Sequence, residues 1–259
     1  MGANKFIQKK ERQRKRKKKF RNIVILLILV IVLLNLVYKL PYFDIKHIKI
    51  QNNNIVSSDD IYSICKEVEG KNIFYTKLDN LQKKIKKNTY IESVEISRKL
   101  PSTITVKINE RDPFFYVNNE GKYYIFSENA LLLDIKDTII DLDVPEVVGL
   151  DLGDITIGES IAFNKDNERK VKYISDLYLN MSNPIDDSFN KKNISLIEIP
   201  EFFNCSFKYK NLTIKLGKNE ELLDKLNKAF QIIKEKEFEN SIGYIDVSYY
   251  KLPAVHIEG

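Results

Sequence analysis

The side chains that could do chemistry in this chain are few and scattered. His47 and His256 are the only histidines, Cys65 and Cys205 the only cysteines. They show no metal-ligand spacing, and neither histidine lies near a Ser or Cys in a recognisable catalytic pattern. Asp137, Asp141, Asp143, Asp151 and Asp154 form an acidic, loop-rich patch. Carboxylates suit hard divalent ions, but this spacing matches no EF-hand loop, so a solvated loop is the better reading and no metal site is assigned. Asp59-Asp60 and Asp186-Asp187 fall at helix starts or in loops, where carboxylates complement the helix dipole. The chain has no glycine-rich phosphate loop and no Gly-x-Ser-x-Gly elbow. The reading is therefore a protein without catalytic residues or cofactor. An exported wall-modifying enzyme acting through the acidic loop residues stands as the alternative. Nothing in the cysteine spacing argues for a bridge, and Cys65 falls on the apolar face of a helix as a small buried thiol.

What remains is the chemistry of the backbone. An exposed edge strand offers N–H and C=O groups to which an extended partner segment can add. Ile242 to Tyr250, rich in β-branched and aromatic residues, reads as the last strand, with Leu252 to Gly259 behind it as a tail. Tyr249 and Tyr250 point to opposite faces of such a strand, so at least one is available to a partner.

The element that places any such surface is the apolar run Ile23 to Tyr38, interrupted only by Asn35. With its flanks, whose Arg21 and Lys39 reach up to the headgroups, it is long enough for one membrane-spanning helix over 23–40. Met1 to Arg21 carries eleven Lys and Arg against the single acid Glu11, whereas the whole chain has a net charge of only +6. The positive-inside rule leaves this basic tail, 1–22, in the cytoplasm and everything after the span outside. The tail has too few apolar residues to fold alone, and its charge suits anionic lipid better than nucleic acid. No small-residue cleavage site follows the span.

Beyond Pro41, which stops the helix, Phe43, Ile45, Ile48 and Ile50 alternate with one slip near Lys46 and His47, as a bulge produces. Asn52-Asn53-Asn54 turns the chain. Ser57 or Ser58 then caps a helix carrying Ile61, Ile64, Cys65 and Val68, ended by Gly70. A second helix has Leu78, Leu81 and Ile85 inward and Lys83, Lys84, Lys86 and Lys87 outward, a solvated face that meets headgroups if it lies near the bilayer. Strands around Val94 and Ile96 and around Ile104 to Ile108 are joined by a turn at Leu100-Pro101-Ser102. After Pro113 come Phe114 to Val117, a turn at Asn118 to Gly121, Lys122 to Phe126, and a strand within Asn129 to Ile135. Then follow Val144 to Gly149, a helix Asn167 to Met181 ended by Asn183-Pro184, a strand Ile194 to Ile199, the hairpin Cys205 to Leu216 about Lys210-Asn211, and a helix carrying Leu222, Leu226, Ala229, Phe230 and Ile233.

One span followed by Phe43-x-Ile45-x-x-Ile48-x-Ile50, Gly70, Arg98-Lys99-Leu100-Pro101 and Glu110-Arg111-x-Pro113 resembles the bacterial cell-division family FtsQ/DivIB, beginning with its POTRA domain. Val144 to Gly149, the block Leu212 to Gly217, and Tyr244-Ile245-Asp246-Val247 resemble the family's β domain, although Ser248 stands where the family usually has Arg. The resemblance implies an α+β protein. After the span come a POTRA domain (β-α-α-β-β) over 41–112, a mixed-sheet β domain with two or more helices over 113–251, and the tail 252–259. It implies a non-enzymatic, single-pass scaffold at the division septum. Its C-terminal strand would receive a segment of an FtsB/DivIC-type partner in complex with FtsL, through Ile245, Val247, Ser248, Tyr249, Tyr250 and Lys251.

Overall fold

The computed structural model describes residues 2–140, 142–182, 190–201 and 204–258. Asp141, Asn183-Pro184 and Asp186-Asp187 lie outside the described residues. The chain divides into two compact units, residues 1–87 with 91–110, and residues 88–90 with 111–259.

The first unit opens with one helix, α1 (Gly2–Lys39). Its stretch Lys15–Val37 is long and apolar enough to cross a membrane, and its apolar window has no buried residue. At about 1.5 Å per residue, its 23 residues match the ~30 Å hydrocarbon layer. Asn35, the polar interruption, donates to the Ile31 carbonyl at 2.9 Å, which satisfies one of its amide hydrogens within the helix. The basic tail is helical and not disordered as its composition predicts. Lys, Arg and Gln are good helix formers, and elongating a helix already nucleated by the span avoids the cost of a new nucleus.

A 3-10 turn at Pro41–Phe43 leads into β1 (His47–Gln51), α2 (Ser58–Cys65), α3 (Leu78–Ile85), β2 (Ile91–Lys99) and β3 (Thr103–Glu110). The sheet order is β1-β3-β2, with β1 parallel and β2 antiparallel to the central strand. Ile61 and Cys65 of α2 and Leu81 and Ile85 of α3 are buried with Ile104 and Val106. Ser57 accepts the Asp60 N–H at 3.1 Å, capping α2. The amides of Lys46 and His47 both donate to the Ser102 carbonyl, at 2.9 and 3.2 Å. Two residues opposite one make the bulge that the slipped alternation predicts, and His47 faces solvent. The motif residues act as ties. Arg98 donates to the carbonyls of Ile73 and Thr76 at 2.7 and 2.9 Å. The Glu110 carboxylate accepts three successive amides, Asn54, Ile55 and Val56, at 2.8 to 2.9 Å.

The second unit is a nine-stranded sheet with two helices. Its elements are β4 (Pro113–Asn119), β5 (Lys122–Ser127), β6 (Leu132–Lys136), β7 (Glu146–Val148), α4 (Lys165–Ser182), β8 (Ile194–Glu198), β9 (Cys205–Tyr209), β10 (Leu212–Gly217), α5 (Leu222–Glu235), β11 (Gly243–Asp246) and β12 (Ala254–Ile257). The strand order is β12-β11-β10-β9-β8-β7-β4-β5-β6. The parallel pairs β7/β8 and β10/β11 each need a crossover, which α4 and α5 supply. Tyr173, Ile174, Leu177 and Met181 of α4 and Leu222, Leu226, Ala229 and Ile233 of α5 share one core with Phe207, Ile214, Leu216, Ile245 and Val247 of the sheet. Gly149 is where the sheet leaves no room for a side chain. Its φ is +105°, and a Cβ there would lie 2.2 Å from the Ile199 carbonyl oxygen.

Two expectations are corrected at the C-terminal end. Extended pairing stops at Asp246, because its carboxylate accepts both the N–H and the O–H of Ser248, at 2.9 and 2.6 Å, and draws the chain into a turn. Residues expected to trail behind the last strand instead fold back as β12, antiparallel to β11 with Ile245 opposite Val255.

Candidate partner-binding edge

Strand addition needs a backbone edge whose groups point outward, and β11 no longer offers one. It lies between β10 and β12. Ile245 and Val247 are fully buried, and the Val247 N–H is spent on the Lys215 carbonyl at 2.9 Å. Ser248 is held in the turn by Asp246. Tyr250 packs against the core, with Lys251 Nζ 5.7 Å from its ring centroid. Tyr249 is 60% exposed. Of the six residues expected to meet a partner, Ile245 and Val247 are interior, and Ser248, Tyr249 and Lys251 are on the turn that leads to the edge.

That edge is β12, which among the described residues pairs on one side only. The direction of its backbone groups follows from three observations. The Glu258 N–H bonds the Ile242 carbonyl at 2.9 Å. A Cβ on Gly243 would sit 2.1 Å from the His256 carbonyl oxygen, so that carbonyl faces β11. The Val247 amide faces β10. Alternate residues of an antiparallel ladder turn their groups to the same side, so Ala254, His256 and Glu258 bond inward. The N–H and C=O groups of Val255 and Ile257 therefore point away from the sheet. Pro253, which has no N–H, stands just before them.

Four apolar side chains stand exposed around this edge. Ile242, Tyr249, Leu252 and Val255 are 54, 60, 78 and 43% exposed. On the ring-bearing face, Lys215 Nζ lies 3.9 Å from the Tyr244 centroid, and Tyr244 stacks on His256 at 5.5 Å. His256 thereby braces β12 against β11. Sequence reasoning missed β12 and Gly243, whose φ of +146° opens the approach between the two strands. The isolated glycine ahead of Tyr244 is the one signal that was there to be read.

The acidic loop has a different role. Asn167 is fully buried, donates to the carbonyls of Asp151 and Ile161 at 2.7 and 2.8 Å, and accepts the Asp151 N–H at 3.1 Å. Asp151 also accepts the Gly153 N–H at 3.1 Å, and Asp143 pairs with Lys192 at 3.2 Å. Among the described residues, no three His, Cys, Asp or Glu side chains converge on a metal-sized site.

Residues 43–111 match the family model of the POTRA domain, FtsQ-type. The chain is 34% identical over 228 residues to the cell division protein DivIB of Clostridium tetani, covering 87% of this chain and 84% of that one. DivIB of Clostridium acetobutylicum is 31% identical over 226 residues, covering 87% and 88%. FtsQ of Syntrophotalea carbinolica is 26% identical over 118 residues, 45% of this chain and 41% of its own. This family consists of non-enzymatic scaffolds, which sets aside the wall-modifying alternative. A relative this similar over this share of both chains, with the matching domain in the expected place, shows that the chain belongs to the FtsQ/DivIB family of bacterial cell-division proteins.

Proposed function

We propose that this division protein works by strand addition, taking an extended segment of an FtsB/DivIC-type partner, itself bound to FtsL, onto the outer edge of β12. The observation that carries the reading is the outward pair Val255 and Ile257 on a strand paired on one side only. Four backbone hydrogen bonds at about 1 kcal/mol each give roughly 4 kcal/mol, which corresponds to only about millimolar affinity. The exposed side chains of Ile242, Tyr249, Leu252 and Val255 must supply the rest, and their placement around the same edge supports this. The partner surface is thus Ser248 to Lys251 together with β12, while Ile245 and Val247 hold the edge from inside.

In this reading the tail 1–22 lies in the cytoplasm against anionic lipid and 23–40 spans the membrane. The POTRA domain (41–112) and the β domain (113–258) work outside it, enriched at the septum. The test is co-purification of the full chain with its DivIC-type partner. Val255→Pro deletes one outward donor and leaves the bonds to β11 intact, so the fold should survive and the partner should be lost. Undiminished capture by Val255→Pro would refute strand addition. A proline at Val247 would not discriminate, since it removes a bond inside the sheet.

A further inference from the structure

The end of the span is stitched to the first unit. Asn72 Nδ2 donates to the Val37 carbonyl at 3.0 Å. Asp44 and Asn72 form an antiparallel bridge, flanked by Ile45 N–H to Lys71 C=O and Ile73 N–H to Phe43 C=O, both 2.9 Å. Val37 closes the apolar stretch, so Asn72 stands where hydrocarbon gives way to headgroups. Whatever flanks Asn72 is held at that depth by a hydrogen-bonded junction, with no slack linker between.

Two kinds of side chain are held there. Tyr42, Phe43 and Phe74 form a ring cluster, with centroids 5.1 and 5.3 Å apart. Tyr42, Phe74 and the neighbouring Tyr75 are 61, 42 and 53% exposed, and large amphipathic rings favour the membrane interface. Beside them opens a groove of about 920 Å³ whose lining includes Lys71, Lys77, Lys83 and Lys84 against Asp44 and Glu67. Lys84 pairs with Glu67, and Lys71, Lys77 and Lys83 have no carboxylate partner among the described residues. The groove is as large as a sizeable ligand cleft, but its basic walls are long, exposed lysines, which suit a field of phosphates better than one enclosed metabolite.

We propose that this face of the POTRA domain rests on the leaflet at the C-terminal end of the span, with rings in the interface and Lys71, Lys77 and Lys83 on the phosphates of anionic phospholipids. The occupant is a lipid surface because Asn72, which bonds the last residue of the apolar stretch, also lines the groove.

The chain contains no tryptophan, so Tyr75→Trp gives a single tryptophan that can be excited beyond the tyrosine absorption. The full chain is reconstituted in vesicles of phosphatidylcholine alone or mixed with phosphatidylglycerol, with brominated acyl chains as quencher. The basic tail lies at the opposite end of the span and does not touch this reporter. The expected result is a blue shift and quenching that strengthen with phosphatidylglycerol and weaken with salt. Combining Lys71→Gln, Lys77→Gln and Lys83→Gln should lower the docking equilibrium roughly a hundredfold, at about fivefold per lysine. Phe74→Trp repeats the measurement should Tyr75→Trp disturb the cluster. The same spectrum in both vesicles, or a lipid response that survives the triple change, overturns the proposal. A triple variant that keeps its spectrum but loses a co-purifying protein also overturns it, and assigns the groove to an acidic polypeptide.

Discussion

The two ends of the nine-stranded sheet handle the same problem in opposite ways. At the β6 end, the Leu132 N–H bonds Glu159 at 2.8 Å, the Leu132 carbonyl takes the Gly158 N–H at 2.9 Å, and the Thr89 hydroxyl donates to the Leu133 carbonyl at 2.6 Å. Asp134 and Lys136, 3.9 Å apart, add charge to the same strand. Natural sheets blunt an edge in this way, with a covering loop and charged side chains. At the β12 end, no comparable cover is present among the described residues, and the flanking side chains are apolar. Yet β12 is only four residues long and follows a proline, which limits indiscriminate pairing. An edge of that length holds a partner only if the partner's side chains also fit. One end of the sheet is thus covered, and the other is short and, among the described residues, uncovered.

The strongest way to break this contrast is at the two glycines that have no room for a Cβ. Gly149→Ala strikes the middle of the sheet and should cost about 3 kcal/mol or more in urea unfolding. Gly243→Ala meets an equally short contact, here with the edge strand β12. Its unfolding cost should be about 1–2 kcal/mol, with partner capture abolished. Next in size, Val255→Pro should weaken the partner by about 2 kcal/mol, roughly thirtyfold in a titration, while stability moves by less than about 1 kcal/mol. The smallest effect sharpens the closed end. Thr89→Val leaves the Leu133 carbonyl without its donor and should cost about 1 kcal/mol of stability, with partner affinity unchanged.

How far the sequence could be read follows from the length of each pattern. Cys205 to Leu216 alternates over a full hairpin about a two-residue turn, and it folds as β9 and β10. The slip at Lys46 and His47 announced its bulge because strands on both sides kept their phase. Ala254–Ile257 is too short to show any period, and the turn before it depends on one carboxylate, Asp246, reaching Ser248. Strand order was also illegible. Nothing local says that β7 pairs with both β4 and β8, since that choice is made by crossover helices and a shared core. Of the residues expected at the site, Tyr249 to Lys251 flank the β12 edge, and Ile245 and Val247 sit behind it. Buried Lys170 and Lys225 were missed for a related reason. Each reaches a backbone carbonyl, Gly149 at 2.7 Å and Lys218 at 2.8 Å, that no helical period reveals.

The most direct test of the proposed strand addition is residue-resolved amide exchange of the full chain in detergent, with and without a soluble segment of a DivIC-type protein. Strand addition predicts new protection at Val255 and Ile257, little change at the already bonded His256 amide, and none at Leu132 to Lys136. Protection that spares Val255 and Ile257, or that appears along β6, would contradict it.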